Sequence, residues 1–209
     1  MKQDLLDSLN SGGVCKTFAL KKYAKENNIP ILRTNTANLL SFIVSLKKPK
    51  RILEIGTAIG YSGTILLENS ESDAILDTIE LKEDMANLAK ENFLKLNYLN
   101  RVNIYCDDAK NVLPNLKEKY DFIFLDGPKA QYIHYLPYLI TLLNENGILF
   151  ADNVLFKGLV FSGEEVQHKN RTIVKNLEQF LIEISENPML KTQIIDIEDG
   201  VSISKKENI

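Results

Sequence analysis

The sequence predicts an α/β fold, a mostly parallel sheet of seven strands with helices on both faces and an antiparallel hairpin at its C-terminal end. Two observations carry this. Short apolar runs recur at Arg51 to Ile55, Ala74 to Ile79, Val102 to Tyr105, Phe122 to Leu125 and Ile148 to Ala151, separated by helical patterns at about Tyr61 to Leu67, Lys82 to Leu96, Ala109 to Leu116 and Gln131 to Leu143. Strands this apolar and this regularly separated bury both faces of a parallel sheet, and right-handed crossovers set the broad topology. The last third breaks the alternation. A long helix from about Lys169 to Glu186 is closed by Asn187 and Pro188, and two runs, Thr192 to Ile197 and Val201 to Ser204, flank the hairpin signal Asp199-Gly200.

Upstream of the first strand, a Gly12-Gly13 pair precedes an amphipathic helical pattern from Thr17 to Asn27, with Phe18, Leu20, Tyr23 and Ala24 among lysines. A second pattern, Thr36 to Leu46, is ended by Pro49. Residues 1–46 read as a helical cap within one domain spanning 1–209, because no repeat, low-complexity tract or linker marks a boundary.

At 209 residues the chain is long enough to build its core without disulfides or structural metal. Cys15 and Cys106 are far apart and follow no metal-ligand spacing, and the first ten residues do not resemble a secretory leader, so a reduced cytoplasmic compartment is expected. No apolar run approaches the roughly 20 residues that span a bilayer, so no membrane association is expected. A net charge of -3 argues against gripping nucleic acid with the whole surface and leaves room for a local basic face.

Chemistry concentrates where predicted strands end. Glu54, Gly56, Gly60, Tyr61 and Ser62 stand where the first strand gives way to a helix, and glycines there permit a sharp turn and close backbone approach to a ligand. Three residues separate the glycines, which is neither the dinucleotide pattern nor a P-loop. Glu80 ends the second strand, the position from which a carboxylate reaches ribose hydroxyls; capping the helix that begins near Lys82 is the equally simple alternative. Asp107, Asp108 and Ala109 end the third strand, where an adenine ring or an ordinary Asp108 helix cap fits.

Asp126 closes the fourth strand and Asp152-Asn153 the fifth, with Lys129 three residues after Asp126. Each aspartate alone suits helix capping. Together, two carboxylates and an amide oxygen are hard donors that suit Mg²⁺, Mn²⁺ or Ca²⁺ rather than zinc. A hydroxyl brought to such an ion loses its proton several units below its free pKa, which methyl transfer to oxygen requires. The neighbouring cation and partial burial are expected to depress the pKa of Lys129 so that it accepts this proton; the plain alternative is a solvated lysine. His134 and His168 have no visible partner, and Tyr132, Tyr135 and Tyr138 recur at the spacing of a packed helix face.

These motifs together resemble the cation-dependent O-methyltransferases, the class that includes the catechol and caffeoyl-coenzyme A methyltransferases, over about Ile29 to Lys205. The resemblance implies a Rossmann-like class I methyltransferase fold and S-adenosylmethionine as cofactor. The cofactor-binding residues it implies are Leu32, Glu54, Gly56, Thr57, Gly60, Ser62, Glu80, Asp108, Ala109 and Asp126. It further implies Asp126, Asp152 and Asn153 as ligands to Mg²⁺, Mn²⁺ or Ca²⁺, and Lys129 with Asp126 as the catalytic pair. A departure is Gly127-Pro128, where relatives have small residues such as alanine; proline stiffens the turn that carries Lys129.

Within the class, the stretch from Asp152 to Val160, the run Asn170 to Val174 and the ending Asp199 to Ser204 look most like bacterial tRNA 5-hydroxyuridine methyltransferases. That likeness implies a tRNA anticodon loop as partner, with a small catechol-like or phenolic acceptor as the alternative. Either offers two adjacent oxygens. Lys157, Lys169, Arg171 and Lys175 beside the site, with Lys16, Lys21, Lys22 and Lys25 in the first helix, are candidate phosphate contacts, opposed by Glu164 and Glu165. The N-terminal helices also offer an apolar face for a homodimer. A non-catalytic nucleoside-binding module is the rival class, and an oxidoreductase is disfavoured by the glycine spacing.

Overall fold

In the computed structural model, residues 17–163 and 165–208 are described. The Gly12-Gly13 pair, Cys15, Lys16 and Glu164 lie outside them. The described residues form a seven-stranded sheet in the order β3-β2-β1-β4-β5-β7-β6. Its strands are β1 (Arg51–Ile55), β2 (Ile75–Glu80), β3 (Val102–Cys106), β4 (Tyr120–Leu125), β5 (Leu143–Asp152), β6 (Leu190–Ile195) and β7 (Val201–Lys206). The first five pair in parallel, and β7 runs antiparallel to both β5 and β6. The predicted fold class is the observed one.

Strand alternation divides the core. On β4, Phe122 and Phe124 face one cluster with Phe150 of β5, while Ile123 and Leu125 face the other with Leu149 and Ala151. The first cluster is covered by α1 (Thr17–Glu26), α2 (Thr34–Lys47), α3 (Tyr61–Asn69) and α4 (Glu83–Lys95). The second is covered by α5 (Ala109–Val112), α6 (Tyr132–Leu142) and α7 (Arg171–Glu186). Complete burial of three phenylalanines on β4 and β5 gives the strands that carry the site a rigid floor. No described helix is long and apolar enough to cross a membrane.

Element ends differ from the sequence expectation for identifiable reasons. The helix expected from Ala109 to Leu116 is helical only to Val112 and continues as a 3₁₀ turn, Leu113–Asn115, because Pro114 supplies no N–H to the ladder. Strand β5 begins five residues earlier than expected, its polar start Asn144-Glu145-Asn146 lying where the pairing with β4 is irregular. Strand β6 sits two residues earlier, since Leu190 pairs with Lys206. The Asp199-Gly200 turn is therefore part of a longer connection, 196–200, with Glu198 at φ 55° and Gly200 at φ 79°.

Glu198 serves a distant element. Helix α2 has no capping side chain of its own at Arg33, and the Glu198 carboxylate accepts from Asn35 N–H at 3.1 Å, Thr36 N–H at 3.0 Å and the Thr36 hydroxyl at 2.7 Å. This long-range cap satisfies donors the helix leaves open and joins the N-terminal helices to the hairpin turn beside β5. Glu198→Ala is expected to lower stability by about 1–2 kcal/mol, measured by urea denaturation; an unchanged midpoint would show the cap to be energetically idle.

Candidate active site

The carboxyl ends of β1, β2, β3 and β4 open into a cavity of about 540 Å³. Of the residues expected to hold a cofactor, Gly56, Glu80, Asp108, Ala109 and Asp126 line it. Gly56 is required at its place: its φ is 103°, and an added Cβ would lie 2.3 Å from the carbonyl oxygen of Asp126. Leu81, Gln131 and Tyr135 also line the cavity. No sequence signal separated these from ordinary helix-start and packing residues.

Glu80 is tied to the backbone on both sides of the cavity's edge. Its Oε1 accepts from Lys82 N–H at 2.9 Å and its Oε2 from Ala58 N–H at 2.8 Å, yet the residue still borders the cavity. The bond to Ala58 steadies a turn in which that non-glycine residue has φ 44°. Asp108 caps α5 by accepting from Lys110 N–H at 3.0 Å. That bond is the main reason its carboxyl is held below the usual range.

Five of the expected contacts lie behind the cavity wall. Glu54 is fully buried, its Oε1 accepting from Ser62 at 2.6 Å and its Oε2 from Thr78 at 2.6 Å. The Thr57 hydroxyl meets that of Thr78 at 2.5 Å. Gly60, at φ 80°, starts α3, and an added Cβ would press 2.9 Å from the Phe93 ring. Leu32 packs into the core shared with α1 and α2. Glu54, Thr57, Gly60 and Ser62 thus support the turn from below, and other residues line the cavity.

At the other end of the cavity, the Gly127-Pro128 turn delivers Lys129 to Asp126, Nζ to Oδ1 being 2.6 Å. The turn that Pro128 stiffens thus carries Lys129 within hydrogen-bonding reach of Asp126. Tyr132 is the participant that periodicity concealed. Its hydroxyl accepts from Lys129 Nζ at 2.8 Å and lies 3.1 Å from the carbonyl oxygens of both Leu125 and Asp152. The only sequence sign was its spacing, three residues beyond Lys129 as Lys129 is beyond Asp126.

Around Lys129 the expected effect of burial meets two opposing partners. Burial pushes its ammonium down, but the Tyr132 and Asp126 oxygens, through charge and hydrogen bonds, hold it well above the ordinary lysine range. Paired in this way, Lys129 donates hydrogen bonds to both oxygens. Asp152 is 4% exposed, and its carboxyl is pushed up to about 7 by burial first and then by the negative charge of Asp126. Asn153 follows at φ 55°, its N–H donating to Asp152 Oδ1 at 2.8 Å.

Among the described residues no three His, Cys, Asp or Glu side chains cluster as a metal site. A fit must therefore use the Asn153 amide beside two carboxylates. The donors suit a hard divalent cation, because two acidic groups lie on adjoining strand tips with one ammonium paired to Asp126. His134 and His168 are exposed.

A cavity at the carboxyl edge of a parallel sheet, lined by Gly56, Glu80 and an Asp126 that pairs with Lys129, lies where open α/β folds bind their ligands. The model of the O-methyltransferase family matches residues 14–207. The chain belongs to that family, whose members transfer a methyl group from S-adenosylmethionine to oxygen. It is 24% identical over 199 residues to the caffeoyl-CoA O-methyltransferase of Stellaria longipes, covering 90% of this chain and 81% of that one. A Staphylococcus aureus structure proposed to be a caffeoyl-CoA O-methyltransferase superposes with TM-score 0.88 at 31% identity over 98% of each chain. The SAH-bound Podospora anserina methyltransferase superposes with TM-score 0.85 at 25% identity, over 99% and 94% of the chains.

Glu54 makes the site pH-sensitive. Its carboxyl is pushed from the ordinary 4.5 up to about 7, burial outweighing the hydrogen bonds from Ser62 and Thr78. A folded-state value above the unfolded one means that its stabilising effect is complete at acid pH and fades as pH rises through about 7. Between about pH 5 and pH 8.5, the wild-type chain is expected to lose up to roughly 3 kcal/mol relative to Glu54→Gln. Parallel urea-midpoint curves for the two proteins would contradict this.

Proposed function

We propose that this chain methylates a hydroxyl oxygen with S-adenosylmethionine and a divalent cation, Mg²⁺ or alternatively Mn²⁺ or Ca²⁺. The observation that carries the reading is the Asp126–Lys129 pair, with Asp126 lining the cavity and the Asp152 carboxylate at the end of the neighbouring strand. The adenine end belongs at Asp108 and Ala109, the ribose at Glu80, and the methionine end over Gly56 toward Asp126. Leu32, Glu54, Thr57, Gly60 and Ser62 hold that turn from beneath.

Asp126, Asp152 and Asn153 would hold the cation, whose positive charge lowers the pKa of an acceptor hydroxyl and competes with Lys129 for Asp126. Lys129 can take the acceptor proton at Nζ only in its neutral form, after the proton it holds against Asp126 has passed to solvent. The apolar walls Ile55 and Ile79 and the backbone of Gly56 exclude water from one side of the reacting groups. Fixing donor and acceptor in this way supplies about 7–11 kcal/mol of barrier lowering.

The acceptor we favour is 5-hydroxyuridine at the wobble position of a tRNA anticodon loop, giving 5-methoxyuridine. Supporting it are the likeness of the Asp152–Val160, Asn170–Val174 and Asp199–Ser204 stretches to such enzymes and the exposure of Lys157, Lys169, Arg171 and Lys175. The second reading, a catechol-like or phenolic acceptor, is favoured by the caffeoyl-CoA relatives. Exposed Phe18, Phe42 and Leu46 on α1 and α2 support a homodimer through that face, and a reduced cytoplasmic setting remains our expectation.

Lys129→Met is expected to reduce turnover by roughly 10²–10⁴-fold while calorimetric S-adenosylhomocysteine affinity stays within about twofold. Asp152→Ala should abolish dependence on added Mg²⁺ and lower turnover at least roughly 100-fold; turnover unchanged after chelator treatment would remove the cation from the reaction. Nucleoside mass spectrometry of tRNA from cells lacking the gene should show 5-methoxyuridine lost and 5-hydroxyuridine accumulated. An unaltered profile would assign the enzyme to phenolic acceptors.

A further inference from the structure

Tyr132 is fully buried at the start of α6, and its hydroxyl sits where three parts of the site meet. The two carbonyls it approaches belong to neighbouring parallel strand tips, as Leu125 pairs with Ala151 in register and Asp126 and Asp152 follow directly. Leu125 O begins the peptide that leads into one carboxylate residue, and Asp152 O belongs to the other. On the third side stands Lys129 Nζ, at 2.8 Å.

The hydroxyl has one proton, shared between two carbonyls, and it accepts from an ammonium. A hydroxyl so engaged has little capacity left for an acceptor or a cofactor. Its ring is fixed as well, meeting Phe180 of α7 edge-on at 5.5 Å and 68°. The step from Lys129 to Tyr132 runs through the 3₁₀ turn Lys129–Gln131, in which side chains three apart eclipse, while Asp126 meets Lys129 across the extended Gly127-Pro128 link. Local geometry thus brings acid, lysine and phenol into contact in sequence.

We propose that Tyr132 is a positioning residue for methyl transfer: its hydroxyl locks the β4 and β5 tips together and anchors Lys129 beside Asp126, giving both carboxylates and the lysine one fixed arrangement. This rests on the catalytic reading of Asp126, Asp152 and Lys129 above. A residue serving only the core would contribute through its ring, which Tyr132→Phe retains. Removing the hydroxyl alone leaves both strand-tip carbonyls and Lys129 without this partner.

The test compares Tyr132→Phe with Phe180→Leu, which loosens the ring without touching the hydroxyl. Methylation is assayed on tRNA bearing 5-hydroxyuridine and, in parallel, on catechol, and Mn²⁺ binding is followed by electron paramagnetic resonance with S-adenosylhomocysteine present. For Tyr132→Phe, kcat should fall roughly 10–100-fold and Mn²⁺ affinity about tenfold, with the cofactor KM and S-adenosylhomocysteine Kd within about twofold. Phe180→Leu should lower Tm yet keep kcat and Mn²⁺ affinity within about threefold.

Unchanged kcat and Mn²⁺ affinity in Tyr132→Phe, or equal losses in Phe180→Leu, overturn the proposal. So does failure of Tyr132→Phe to fold, because the hydroxyl would then belong to the fold rather than to the site. Asp152→Ala is measured alongside: full turnover there rejects the catalytic reading itself, whereas full turnover in Tyr132→Phe alone rejects only this role.

Discussion

The site depends on parallel strands ending at one level with their last peptide groups joined. Asp126 N–H donates to Ile55 O at 2.9 Å and Gly56 N–H to Ile79 O at 2.9 Å, so β4, β1 and β2 are bound to one another at the point where each chain turns away. The contact between Gly56 and the Asp126 carbonyl leaves no room for a side chain. Because sheet interiors are packed as densely as organic crystals, this edge is a stiff rim, and the groups it carries inherit fixed separations.

Stiffness has an electrostatic consequence. Asp126 and Asp152 are held on adjacent tips and cannot move apart, and Asp152 has little water to compensate it. Lys129 supplies the counter-charge without a bound ion, from a side chain that is itself 16% exposed. Two acids share one ammonium in a confined volume, and burial together with the charge of Asp126 holds the Asp152 carboxyl well above its ordinary range. A divalent cation suits such a site because it would neutralise both acids and free the lysine together.

A second buried acid performs a different task at the opposite side of the glycine turn. Glu54, Ser62, Thr78 and Thr57 form a chain of hydroxyl and carboxyl contacts beneath residues that border the cavity. Burial of this kind is tolerated only when each polar atom is satisfied. The network therefore holds the turn's shape from below while Glu80 holds it from the side through Ala58. The N-terminal helices join the same edge through Glu198 and α2.

Reading residues in order was sufficient for the alternating strands, their parallel pairing and the cluster Gly56, Glu80, Asp126, Lys129, because hydrophobic period and strand-end position are local properties. The surroundings of Glu54 and Tyr132 could not be read in this way, for one shared reason. Whether a carboxylate faces a cavity or its floor, and whether a tyrosine on an apolar helix face meets a carbonyl, depends on neighbours 24 and 20 residues away. The Glu198 cap spans 162 residues to Thr36 and has no local signature at all. The amino-acid order determined which groups stand at the strand tips, since chain geometry alone puts them there. Tertiary packing decided which of them look into the cavity and which partners Lys129 meets, because burial and counter-ions exist only once the sheet has closed around them.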